Sequence, residues 1–145
     1  MADNTKTKRP VYRNIHVTDI VSYRLPPAGI VSILHRVSGA LLFLLVPFII
    51  WMFDASVTSE ISYDGFTSVF SAGCADGLIP GWFFKLIALA VIWAYLQHFI
   101  AGVRHLWMDA THSVSKQQGH NSAIVTMALS VALTVVLGAK LFGLF

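Results

Sequence analysis

Three long apolar runs divide the chain: Ala28–Phe53, Trp82–Met108 and Ser122–Phe145. Each exceeds the roughly 20 helical residues that cross a bilayer. Polar segments separate them, at residues 1–27, 54–81 and 109–121. The pattern predicts an all-α membrane protein, a single membrane-anchor domain with three transmembrane helices behind an N-terminal segment, residues 1–27. Pro26 and Pro27 stand where the first run begins, and Pro47 lies inside it, where a missing N–H should bend the helix. In the third run Ser122, Thr126, Ser130, Thr134 and Gly138 recur every four residues. A row of small side chains at that spacing is a face for close helix packing in lipid. Trp51, Trp82 and Trp107 fall near the ends of the runs, where amphipathic rings prefer the interface.

Composition sharpens this picture. Only 12% of the residues are charged, and 56% are hydrophobic, against about 25% charged in an ordinary soluble domain. Four charges stand inside the runs: Arg36, Lys85, Arg104 and Lys140. The polar segments of 27, 28 and 13 residues are each shorter than the roughly 40 that a domain needs to fold alone. Chemistry on a water-soluble substrate therefore belongs to a partner. Cys74 is the only cysteine, which excludes a zinc cluster or an iron–sulfur site built by this chain alone.

The charges also predict orientation. Residues 1–27 carry Lys6, Lys8, Arg9, Arg13 and Arg24, whereas residues 54–81 carry Asp54, Glu60, Asp64 and Asp76 with no Lys or Arg. By the positive-inside rule the N-terminus is cytoplasmic, the long connection is outside and the C-terminus is periplasmic. The net charge of +3 is spent on topology, not on nucleic acid. The N-terminal stretch has no apolar h-region and is no long Arg/Ser-rich presequence, so the expected location is a bacterial inner membrane. A mitochondrial inner-membrane protein whose presequence has been removed is the alternative. Lys85 and Lys140, near the outer ends, read as snorkelling anchors.

Two polar clusters stand toward the inner side. Ser32-Ile33-Leu34-His35-Arg36-Val37-Ser38-Gly39 puts a hydroxyl, an imidazole and a guanidinium at helical spacing. Its plain reading is Arg36 reaching lipid headgroups. Farther along, His98, Gly102, His105 and Asp109 share one helical face. A His with Gly one turn later suits metal ligation, because the missing side chain lets a flat macrocycle approach the backbone. The plain reading of a lone His here is a hydrogen-bonded core residue. Arg104 and His105 are placed to meet carboxylates such as haem propionates. His98 and His105 lie about 10 Å apart along the axis, whereas two axial nitrogens on one iron lie only about 4 Å apart. They cannot share an iron, and a second ligand comes from His35 or from a partner. His16, His112 and His120 read as solvated.

Arg9-Pro10, Tyr23-Arg24-Leu25-Pro26, Ser32–Gly39 and His98-x-x-x-Gly102-Val103-Arg104-His105-x-x-x-Asp109 together resemble the cytochrome b subunits of succinate dehydrogenases, the membrane anchors of respiratory complex II. The resemblance runs along most of the chain and omits the long outer connection. It implies a chain that anchors the complex, binds one haem b and helps form the ubiquinone-reduction site, without itself oxidising succinate. His98 matches the haem ligand, and a second small anchor subunit supplies the other. Ser32 and Arg36 match quinone-site residues. His35 lies near a haem propionate, and Arg36, Gly102 and His105 belong to the haem surroundings. Arg104, His105 and Asp109 contact haem, the iron–sulfur subunit or loop backbone. The implied partners are the second anchor, the iron–sulfur subunit, the flavoprotein and membrane lipid. Two other readings stand beside this one: a proton-relay or transporter subunit using His98, Arg104 and His105, and a structural anchor without haem.

Overall fold

The computed structural model describes residues 16, 18–19, 23–74, 78–112 and 115–144. The Arg9-Pro10 pair and the cations Lys6, Lys8 and Arg13 lie outside them. Five helices follow one another: α1 Pro27–Leu44, α2 Val46–Val57, α3 Glu60–Ser71, α4 Gly81–Thr111 and α5 Lys116–Leu141. Three of these, α1, α4 and α5, are long and apolar enough to cross a membrane. The chain is an all-α, multi-pass membrane protein.

Extended Pro26 leads into α1, with Pro27 in its first turn, where a proline forfeits no helical hydrogen bond. The run then breaks at Leu45, whose φ of −90° and ψ of 1° leave the helical range. Pro47 is the cause. It has no N–H to give Phe43 one turn earlier, so the ladder stops and restarts as α2, with the Ile49 N–H bonded to the Leu45 carbonyl at 2.9 Å.

The connection from 54 to 81 is not a plain loop. α2 continues to Val57, and α3 fills residues 60–71. Ser59 and Ser62 form a reciprocal capping box at the start of α3, with the Ser62 N–H to Ser59 Oγ at 3.1 Å. Phe66 and Phe70, one turn apart, stack edge-on at 5.1 Å, and Trp51 of α2 meets Phe66 at 6.0 Å. This apolar stripe packs α3 against α2 and α4. At the return, Cys74 and Ile79 exchange backbone hydrogen bonds of 3.0 and 3.3 Å.

α4 packs against both α1 and α5. The buried apolar side chains are small: Val31, Ala88, Ala94, Ala101 and Ala123. Bulky ones such as Phe43, Leu44, Leu106 and Val135 face outward, as expected where lipid is the surrounding solvent. The four-residue row of α5 is a packing face. Thr126, Ser130 and Gly138 are buried in it, and Ser122 and Thr134 are half-buried. α5 starts at Lys116, six residues before the apolar run, because Ser115 and Gln118 form a second capping box. It ends at Leu141, and α4 extends past Met108 to Thr111. Hydropathy marks what lies in lipid, whereas capping residues mark where the helix stops. Lys85 Nζ sits 5.7 Å above the Phe142 ring, joining the start of α4 to the end of α5.

Gly81 is buried where α3 returns to α4, and a Cβ there would stand 2.6 Å from the Phe70 carbonyl oxygen. Backbone cannot give way as a side-chain tip can. Gly81→Ala is expected to cost about 1–3 kcal/mol, read as a lower midpoint in thermal unfolding of the detergent-solubilised protein. An unchanged midpoint would mean that α3 does not dock on the start of α4.

Candidate functional site

The two polar motifs meet where α1 crosses α4. The His35 and His98 rings stack face to face, with centroids 4.2 Å apart and planes 14° from parallel. His105, two turns further along α4, reaches the other end of the cluster, its centroid 5.0 Å from that of His35. His35, His98, Gly102 and His105, widely separated in the chain, thus form one cluster.

Hydrogen bonding fixes the protonation pattern of this cluster. His98 Nδ1 lies 3.0 Å from the His35 backbone carbonyl. A carbonyl only accepts, so Nδ1 carries a proton, and in the neutral ring Nε2 is the nitrogen with the free lone pair. The same carbonyl accepts a second bond from Ser38 Oγ at 3.0 Å. His105 Nδ1 donates in the same way to the Ala101 carbonyl at 2.7 Å. A ring whose far N–H is held by a carbonyl is oriented to ligate through the other nitrogen.

Gly39 makes the seat for His98. A Cβ at 39 would lie 2.8 Å from His98 Cε1 and 3.1 Å from Nδ1, so any larger residue pushes the ring off the His35 carbonyl. Gly102 differs. Its only near neighbour is His35 Nε2, at 3.7 Å from the Cβ position. That is ordinary contact, and the rest of that face is open. Ser38 and Gly39 ended the first motif in the sequence, but nothing in their spacing revealed that they brace a His sixty residues away.

Among the described residues no group of three His, Cys, Asp or Glu side chains could hold a metal ion. A metal in this cluster would therefore need most of its ligands from elsewhere. A haem iron meets that condition, since the macrocycle supplies four nitrogens and the protein one or two. The ring-stacking argues against His35 as the second axial ligand. Two rings bound to one iron point nitrogens at each other across about 4 Å, with centroids farther apart still, whereas these rings lie face to face.

Arg36 is exposed on α1 and Ser32 half-buried one turn before it. No hydrogen bond or ion pair to a described residue occupies either side chain. Arg104 lies elsewhere than its neighbour His105 suggested. It is buried, at 8% exposure, and turns away from the histidines onto α5. Its Nε donates to Ser122 Oγ at 2.9 Å and its Nη2 to the Gly119 carbonyl at 3.2 Å. Six residues from His98 is 240° around the helix, which puts Arg104 on the α5 face. Gln97 lies on that face too. Ser130 Oγ donates to Gln97 Oε1 at 2.7 Å, and Gln97 Nε2 is buried without a partner. The match of Gln97 to the small-residue row of α5 was the signal for this pair, legible only with the helix register known. Asp109 is exposed near the end of α4, and His112 and His120 are exposed as expected.

The comparisons with known proteins agree with this architecture. The family model described as succinate dehydrogenase/fumarate reductase transmembrane subunit matches residues 6–137. The succinate dehydrogenase cytochrome b556 subunit of Paracoccus denitrificans is 34% identical over 136 residues, covering 94% of each chain. That of Coxiella burnetii is 33% identical over 131 residues, covering 90% of this chain and 94% of its own. That of Rickettsia felis is 28% identical over 134 residues, covering 92% and 98%. With three membrane-crossing helices, a histidine cluster between two of them and this agreement along nearly its whole length, the chain belongs to the family of succinate dehydrogenase and fumarate reductase transmembrane subunits.

Proposed function

We propose that this chain is the haem-carrying membrane anchor of a succinate:quinone oxidoreductase and that it helps form the site where ubiquinone is reduced. The observation that carries this reading is the hydrogen bond from His98 Nδ1 to the His35 carbonyl, which leaves Nε2 to ligate an iron. His98 would hold the haem iron from this chain, and a second small anchor subunit would supply the other protein ligand. The relatives' name, cytochrome b556, supports haem b in this role. Gly102 gives the macrocycle its flat approach, and His35 and His105 line the pocket toward the propionates. Haem bound there supplies a one-electron store beside the quinone site.

Reducing a quinone takes two electrons and two protons, and negative charge develops on its oxygens. Ser32 Oγ donates to one ring carbonyl, and the Arg36 guanidinium holds the developing charge. Neither side chain bonds another described residue, as suits residues that serve an outside molecule. The electrons come from the iron–sulfur subunit, and succinate is oxidised on the flavoprotein. Arg24, Arg36, Arg104 and Lys116, with Asp109, stand at one end of the helices, and Asp54, Glu60 and Asp64, with Lys85 and Lys140, at the other. This asymmetry supports a cytoplasmic N-terminus in a bacterial inner membrane, with the quinone site on the side where soluble subunits dock. A proton relay fits less well. It needs polar groups through the bilayer depth, and α4 carries no charge between Lys85 and Arg104.

His98→Ala should abolish the b-type bands in a reduced-minus-oxidised spectrum of the assembled complex, whereas His105→Ala should keep a bound iron. Full bands in His98→Ala would sink the ligand assignment. Arg36→Ala should lower ubiquinone reduction by about 100-fold, the scale of losing one donor at developing charge. Succinate oxidation with a soluble acceptor should be spared. Normal quinone reduction in that variant would remove Arg36 from the site.

A further inference from the structure

A second site lies on the opposite side of α4 from the histidines. A cleft of about 700 Å³ opens between the start of α1, the end of α4 and the first turn of α5. Pro26, Ala28 and Met108 give it apolar walls, and Arg104, Lys116 and His120 give it nitrogen donors. None of the described residues lining it is acidic. It shares no residue with the histidine cluster and includes neither Ser32 nor Arg36.

Arg104 is the informative member. Its Nε and Nη2 are spent on Ser122 and Gly119. Its third nitrogen, Nη1, has no hydrogen-bond partner, yet it is not among the fully occluded polar atoms. On a residue more than nine-tenths buried, that nitrogen is left to the cleft. A buried guanidinium satisfied only by neutral groups still carries its charge, and a nearby anion would lower that cost. The cleft also holds the N-terminal turn of the 26-residue α5, where the helix dipole favours an anion.

Depth points to the kind of anion. The Arg104 backbone stands seven residues before the end of α4, about 10 Å along the helix, but its guanidinium reaches the Gly119 carbonyl beside His120, so Arg104, Lys116 and His120 bring their nitrogens together at the rim, in the first turns of α5. Nitrogen donors at the rim above apolar walls match the polarity gradient of a phospholipid, with phosphate above and glycerol and acyl chain below. We propose that this cleft binds the phosphate headgroup of a membrane phospholipid, which neutralises Arg104 and fills the gap between α1 and the inner end of the α4–α5 pair. The proposal rests on the membrane-spanning fold and is independent of the haem and quinone assignments.

The test uses the assembled, detergent-solubilised complex, delipidated and then incubated with dihexanoyl phosphatidylglycerol. Bound lipid is counted by native mass spectrometry. Lys116→Gln combined with His120→Gln changes only exposed side chains, so folding is preserved. The parent complex should retain the lipid, and the double variant should bind it about tenfold more weakly, the scale expected from removing cationic donors at a membrane surface. Inorganic phosphate at equal concentration should not displace it. Equal retention by parent and variant, or none by the parent, would overturn the proposal. Displacement by inorganic phosphate would overturn it in favour of a free-anion site. Cross-linking of Lys116 to an acidic residue of a partner subunit in the intact complex would overturn it in favour of a protein contact.

Discussion

Much of this molecule's arrangement follows from one bond between His98 Nδ1 and the backbone carbonyl of His35. A buried helix carbonyl normally serves only its own ladder. Here it also receives an imidazole from α4 and the Ser38 hydroxyl, so three polar groups are satisfied at one point in a region without water. The bond selects one tautomer, sets the ring plane and ties α1 to α4. It forms only because position 39 lacks a Cβ. A backbone acceptor, a hydroxyl and a glycine on one turn of α1 together seat the His98 ring carried by another helix.

The opposite face of α4 solves a different problem. Between α4 and α5 there is little hydrophobic driving force, since lipid is as apolar as leucine. Small residues on α5 allow close approach, and polar pairs fix the register: Gln97 with Ser130 near mid-span, Arg104 with Ser122 and Gly119 toward the start of α5. Each such bond is worth only about 1 kcal/mol in a membrane. Their spacing along the helix nevertheless holds α4 at one rotation, which aims His98 toward α1. α4 thus has one face that packs on α5 and another that carries the histidines.

Hydropathy alone made the three spans legible, and Pro47 announced the break at Leu45. The packing row of α5 was readable because small residues at four-residue spacing have one common use in lipid. α3 was hidden, because a 12-residue amphipathic helix bearing Glu60 and Asp64 lacks the length of a span, and its capping box uses serine where glutamate is usual. The faces of α4 were only half readable. Helical spacing gathered His98, Gly102 and His105; of the surroundings expected for Arg104, propionates or the backbone of residues 109–121, the backbone contact is the one met, at the Gly119 carbonyl, since neighbours in a helix point 100° apart. The seat formed by Ser38 and Gly39 could not be read from spacing, because it depends on how two helices cross.

The central claim is that Gly39 and the His35 carbonyl hold His98 in its ligating orientation. It is tested most directly by electron paramagnetic resonance of the oxidised haem in the assembled Gly39→Ala complex. The account predicts a shifted highest g value relative to the parent, with succinate oxidation by a soluble acceptor retained. A spectrum identical to that of the parent would contradict it, because a Cβ at position 39 cannot coexist with the His98 ring where it now lies.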